Sequence, residues 1–351
     1  VYPLFPSKKF IATIIPQLPS LTFGERCILI TETLHQFLPP TYPEALAILI
    51  QALEPEATED AIQGFDGFII MPQTAFVSRY GLEERYYDIS VQALYEMTKR
   101  FSAEMDIRFF IQSYPKRTLQ FLKKLTQDPS PFARRLASEG TRPRLPLASR
   151  LPEFQKDPTP VFELLNKLKK DPNLMVRRSV ANNLNDIAKD NPEHVLDLLE
   201  KWHSAKDKNT QWLIRHALRT LLKKGHPRAL KLMGFDPQVQ VKVDSISLSS
   251  KRVLLGDTLH FEVEMSSQEK HNDTSLMVDY ILHFQKANGT LAAKVFKGCI
   301  KTLPPGDSFI YKGKHSLQMR STRTLYPGKH LLEIQVNGIS KGKKEFFLKK
   351  K

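Results

Sequence analysis

The chain has 351 residues, 41% hydrophobic and 25% charged, an ordinary composition for a folded globular protein and enough length for two or three domains. Lys and Arg outnumber Asp and Glu by 52 to 37, a formal charge of +15 that favours anionic partners, phosphate backbones above all. Two distant cysteines, Cys27 and Cys299, exclude a disulfide framework and a CxxC metal site, and no apolar run is long enough to span a membrane.

The opening VYPLFPSKKFIATIIPQLPSL lacks a basic stretch ahead of its proline-broken apolar run. It does not read as a signal peptide, and a reducing cytoplasm is the default compartment. From residue 7 to about 235 the pattern is helical. LTFGERCILITETLHQFL places Leu29, Thr33, Leu34, Phe37 and Leu38 at helical spacing, and TYPEALAILIQALEP sets Pro43 in a first turn. Tyr86–Phe101 predicts a helix with Ile89, Ala93, Leu94, Met97 and Phe101 on one face. Further helices are predicted over Pro115–Leu125, Ser130–Ser138, Pro160–Leu168, Asn173–Asp186, Pro192–Trp202 and Thr210–Leu222. Prolines in the intervening Asp-Pro, Tyr-Pro and Asn-Pro breaks stop each helix at a defined point.

Near Gly234 the period changes from about 3.6 to 2. Val239, Val241 and Val243 share a strand face, as do Leu259, Phe261, Val263 and Met265, and then Leu276, Val278, Tyr280, Leu282 and Phe284. Asn288-Gly289 and Asn337-Gly338 signal hairpins, and Pro304–Asp307 and Tyr326–Gly328 signal turns. Seven or so strands in this stretch suggest an immunoglobulin-like sandwich, with a small closed barrel as the competing form. The basic ending SKGKKEFFLKKK reads as a solvated end. The expected architecture is therefore an all-α helical-repeat solenoid over 1–235 followed by an all-β domain over 236–351. Both parts are basic, with 33 Lys and Arg against 26 Asp and Glu in the first and 19 against 11 in the second.

Two sister segments carry the repeat. Asp128–Phe154 and Asp171–Glu193 each open on Asp-Pro and run into an Arg-Arg pair. Their starts lie 43 residues apart, within the period of about 40–47 residues that marks HEAT-type solenoids. Such helix pairs bury their apolar faces only by stacking on neighbours. The acids in and beside these segments have no obvious packing use. Glu139 ends a helix, where the dipole prefers a cation, and is followed by a loop bearing Arg142 and Arg144. Either the arginines merely tie down the loop, or they hold a working carboxylate ionised. Asp186 falls opposite Val180, Leu184 and Ile187 with Asn182 and Asn183, side chains suited to donating to phosphates. Glu104 lies four residues before Arg108 among Phe101, Ile107, Phe109 and Phe110, so it is a surface ion pair or a shielded acid. His194, His203, His216 and His226 show no ligand spacing, and P-loop, GxGxxG and catalytic-triad patterns are absent.

The stretches FSAEMDIRFFIQSYPKRTL, FARRLASEGTRPRLPLASRLP and VRRSVANNLNDIAKDNPEHVLDLLEKW resemble the AlkC-type DNA alkylation-repair glycosylases of the AlkC/AlkD HEAT-like superfamily. The resemblance is dense over residues 90–235, and the layout matches members with a C-terminal immunoglobulin-like domain. It implies hydrolysis of the N-glycosidic bond of cationic alkylated bases, of the 3-methyladenine and 3-methylcytosine class, in duplex DNA. Excision would proceed without swinging the lesion fully into a deep pocket, unlike most base-modifying enzymes. The resemblance implies that Glu104, Glu139 and Asp186 are the active-site acids. It places Leu147 as a lesion contact where the family usually has an aromatic residue, so any cation–π contribution is weakened. It implies a monomer in the cytoplasm with the bacterial nucleoid, no cofactor, no metal, and a β domain that clamps the duplex. Arg134, Arg135, Arg142, Arg144, Arg177, Arg178 and Arg215, with Asn182 and Asn183, are the expected DNA contacts. At least one Arg of each adjacent pair should face the neighbouring repeat instead, because consecutive helix positions diverge by about 100°. The competing readings are a non-catalytic solenoid scaffold for DNA or an acidic protein, and a nuclease, which needs acids clustered around Mg²⁺.

Overall fold

The computed structural model describes residues 2–57, 66–203, 207–319 and 323–350. Two compact units divide the chain, Val1–Val195 with Ser204–Ala217 and Leu196–His203 with Leu218–Lys351. Among the described residues the helices are α1 Ser7–Ile14, α2 Phe23–Phe37, α3 Tyr42–Gln51, α4 Met71–Tyr80, α5 Tyr87–Thr98, α6 Ile107–Ser113, α7 Pro115–Leu125, α8 Pro131–Glu139, α9 Pro152–Lys156, α10 Thr159–Leu168, α11 Leu174–Ile187, α12 Pro192–His203, α13 Lys208–Ala217, α14 Arg219–Lys223 and α15 Pro227–Leu232. None is long and apolar enough to cross a membrane.

In the first unit the Asp-Pro breaks do the same work twice. Asp128 Oδ1 accepts from Ser130 N at 2.8 Å, and Asp171 Oδ1 accepts from Asn173 N at 2.9 Å, each forming an Asx-turn ahead of its helix. Arg134 Nη1 then donates to the carbonyls of Asp128 and Pro129, and Arg177 Nη1 to those of Asp171 and Pro172. Each repeat thus folds its first Arg back onto its own turn. Leu136, Val180 and Leu184 are fully buried in the layers these helices build. Two expectations change. The buried stripe of α5 runs through Tyr87, Ser90, Val91, Leu94 and Met97, so Ile89 lies off it and is 42% exposed. The single helix expected over Thr210–Leu222 is two, α13 and α14, because Leu218 adopts φ −80° and ψ −2° and breaks the α-helical backbone.

The second unit carries a sandwich of two sheets. Their strands are β1 Val241–Leu248, β2 Arg252–Leu254, β3 Thr258–Ser267, β4 Thr274–Gln285, β5 Leu291–Leu303, β6 Ser308–Ser316, β7 Gly328–Val336 and β8 Ile339–Lys349. The orders β1-β3-β6 and β2-β8-β7-β4-β5 leave two separate sheets, which excludes the closed barrel. The period-2 faces of β3 and β4 enter the shared core with Leu332, Ile334 and Val336 of β7. The ending expected to be solvated is instead β8, a strand between β2 and β7 that buries Phe346 and Leu348. Alternation of Lys with apolar residues hides a strand in what composition reads as a basic end. The hairpin residue Asn337, at φ 45°, is wholly buried. Its amide donates to the carbonyls of Asp236 and Ser275, and its Oδ1 accepts from Met277 N at 2.7 Å, pinning the strand entry to the sheet.

Candidate active site

Three acids from three levels of the first unit meet on one ladder of alternating charge. Glu104, in the turn before α6, accepts both Nη atoms of Arg135 from α8, at 2.8 and 3.1 Å. Arg135 Nη2 also lies 3.9 Å from Glu139 at the end of the same helix. Glu139 accepts from Arg142 Nη1 at 2.5 Å through Oε1 and from the Ser179 hydroxyl of α11 at 2.5 Å through Oε2. The Arg142 guanidinium reaches on to Asp186 of α11, Nε to Oδ2 at 2.8 Å, and Lys189 Nζ closes the ladder at 2.8 Å from Oδ1. Glu139 is 5% and Asp186 2% exposed, while Lys189 and Arg135 retain more solvent. Burial opposes the charge of Arg135, but Glu104 and Glu139 outweigh it and hold that guanidinium above its usual range. Arg142 is held up against burial in the same way by Glu139 and Asp186. Three carboxylates alternate with three basic side chains, so the donors of the ladder fix where the carboxylate oxygens point. Among the described residues no group of three or more His, Cys, Asp or Glu side chains is arranged to hold a metal ion.

The loop after Glu139 is fastened from beneath. Arg108, the largest fully buried side chain among the described residues, lies wholly out of solvent. Its Nη1 donates to the carbonyls of Gly140 at 3.1 Å and Arg142 at 2.7 Å, and its Nε and Nη2 both donate to Ser149 O. Leu151 N bonds Pro143 O across the loop, with Leu145 and Leu151 as buried anchors. At the tip Leu147 is 89% exposed with φ 62°, a left-handed conformation unfavourable for a branched side chain. Leu147→Gly is therefore expected to stabilise the fold by about 1 kcal/mol, the relieved strain exceeding the added chain entropy. Urea denaturation checks this, and a destabilised variant would mean that the Leu147 side chain holds the loop together.

Comparison with known proteins bears on this geometry. Residues 101–221 match the family described as DNA alkylation repair enzyme, and 242–350 match the C-terminal Ig-like domain of the uncharacterised protein YhaZ. The chain is 34% identical over 346 residues to the "Uncharacterized protein YhaZ" of Bacillus subtilis (strain 168), covering 98% of this chain and 93% of that one. Among solved structures it is similar to the alkylpurine DNA glycosylase AlkC of Pseudomonas fluorescens, bound to DNA containing an abasic site analog. The identity is 36% and the TM-score 0.91, with 99% of this chain and 94% of that one covered. The chain belongs to the AlkC family of DNA alkylation-repair proteins. The whole ladder of this AlkC-family chain, Glu104 to Lys189, falls inside the repair-enzyme match.

Other site residues expected from the AlkC resemblance scatter. Glu104 does not pair with Arg108, because α6 turns Arg108 into the core. Arg134 and Arg177 clamp their Asp-Pro turns, and Arg134 also binds Asp171 of the next repeat, Nε to Oδ2 at 2.6 Å. Arg144 pairs with Asp190 at 2.8 and 2.5 Å rather than with Glu139. Asn183 is fully buried, donating to Ser138 O and Thr141 Oγ1. Arg134, Arg135, Arg142, Arg144, Arg177 and Asn183, all expected DNA contacts, are thus engaged with protein groups. Short-range acids and carbonyls claim a guanidinium before solvent does. Arg178 and Arg215 are exposed, and Asn182 shares a hydrogen bond with His216 at 3.1 Å. Two ladder members were not singled out from the sequence, Ser179 and Lys189, which bond Glu139 and Asp186. Arg108 was not singled out either, although its spacing from Ile111 on an apolar helix pointed inward.

Proposed function

We propose that this AlkC-family chain is a DNA glycosylase that hydrolyses the N-glycosidic bond of cationic alkylated bases, of the 3-methyladenine and 3-methylcytosine class, in duplex DNA. The observation that carries the reading is the convergence of Glu104, Glu139 and Asp186 on one charge ladder. A pure phosphate binder has no use for three carboxylates there, since each repels DNA.

An alkylated base of this class already bears positive charge, so it departs neutral without a general acid. What remains is an oxocarbenium-like sugar, the species that carboxylates stabilise in other glycoside cleavages. Oriented anions aimed at that developing charge lower the barrier without reorganising. Glu104 and Glu139 are the acids nearest the sugar in this reading, and one of them positions or deprotonates the attacking water. Asp186, held from both sides by Arg142 and Lys189, acts as electrostatic support. Leu147 contacts the lesion, which accounts for a strained apolar side chain kept in water. The exposed Arg178 and Arg215 supply phosphate contacts, and the basic β unit adds its own.

The deciding experiment is chromatographic identification of the bases released from duplex DNA treated with a methylating agent. The expected result is free 3-methyladenine and 3-methylcytosine in proportion to enzyme. Tight DNA binding with no base released would replace the enzyme by the scaffold reading.

A further inference from the structure

We propose that Arg108 is a positioning residue for base excision: its guanidinium is the interior template on which the 140–149 loop folds, and it thereby sets where Arg142 spans Glu139 and Asp186. This rests on the glycosylase reading above. One nitrogen, Nη1, binds both the carbonyl directly after Glu139 and the carbonyl of Arg142 itself. The backbone on either side of Thr141 is therefore indexed to a single atom. Thr141 is in turn fixed to α8, its hydroxyl 3.0 Å from the carbonyls of Ala137 and Ser138. The far end of the loop is held by two more donors of the same side chain at Ser149 O. A shift of Arg108 therefore moves the central rung of the ladder and the stem of the Leu147 turn together.

The choice of side chain argues for more than a clasp. A buried guanidinium carries a large desolvation cost, and every hydrogen bond recorded for this one goes to a backbone carbonyl, none to a carboxylate. Burial, with Arg142 as a like-charged neighbour, pushes its pKa down to about 10, while Asp186, Glu104 and Glu139 push the other way. Arg108 is thus electrostatically within reach of every acid on the ladder. Being wholly buried, it offers no surface to DNA. A rigid planar fork holds its donors on separate nitrogens in fixed directions, here toward three carbonyls, and the single ammonium nitrogen of lysine does not reproduce that spread.

The test uses Arg108→Lys, which keeps the charge and nearly the length, with Arg108→Met as the second variant. Three quantities are read. These are the single-turnover excision rate under enzyme excess, the affinity for duplex carrying an abasic-site analogue, and hydrogen exchange of the amides between 141 and 151. For Arg108→Lys the rate is expected to fall at least about tenfold, since sub-ångström misplacement of reacting groups is costly. Affinity should stay within about twofold, because buried Arg108 offers no surface to a phosphate, and loop exchange should quicken. A lower melting temperature with an unchanged single-turnover rate would make Arg108 merely structural and overturn the proposal. If the wild type releases no base, the glycosylase reading fails by itself. The exchange arm then decides, and unaltered loop protection in Arg108→Lys overturns the template role.

Discussion

Glu139→Gln is expected to slow base release by about 10²–10³-fold while the protein stays folded. The substitution is isosteric at a buried site. The carbonyl oxygen of Gln still accepts from Arg142 in place of Oε1, and the Ser179 hydroxyl, now 2.5 Å from Oε2, turns to accept from the new amide. Only the negative charge is lost, at a stability cost of about 1–2 kcal/mol. In the reading proposed above, that charge is what a departing base leaves the sugar needing. Single-turnover release from methylated duplex, with circular dichroism as a folding control, separates the effects. Release at the wild-type rate would remove Glu139 from the chemistry and leave Glu104 as the working acid.

Arg142→Met is expected to destabilise the protein by about 3 kcal/mol and to abolish base release together. Arg142 is the cation shared by Glu139 and Asp186, both nearly out of solvent. Removing it leaves two interior anions with partial compensation, Lys189 for Asp186 and Ser179 for Glu139. The loss is large because an uncompensated buried charge costs more than the pair contributed. Guanidinium chloride denaturation reads it out. A change below about 1 kcal/mol would mean that water or a moved side chain satisfies the acids, and that the ladder is far looser than drawn.

Much of the architecture is legible in local pattern. The 43-residue offset of the Asp-Pro segments predicts stacked repeats, and the repeated Arg134 and Arg177 clamps are its physical counterpart. The alternation at Leu259–Met265 predicts a half-buried strand, and β3 is one. Where local pattern misled, a longer-range contact had decided. The i, i+4 spacing of Glu104 and Arg108 suggests a surface pair, yet Glu104 is taken by Arg135, 31 residues on, and Arg108 by the carbonyl of Ser149, 41 residues on. Two of the arginines expected at phosphates pair with acids of distant segments, Arg134 with Asp171 and Arg144 with Asp190.

By itself the sequence determined the two fold classes, the repeat register, the basic character and the family, because hydrophobic period and turn chemistry act over a few residues. Only the tertiary structure decided which cation faces which acid. Arg142 meets Asp186 across 44 residues, and Ser179 meets Glu139 across 40. Stacking of successive helical layers brings those groups together, and ion pairs and hydrogen bonds between side chains have no periodicity along the chain from which to read them.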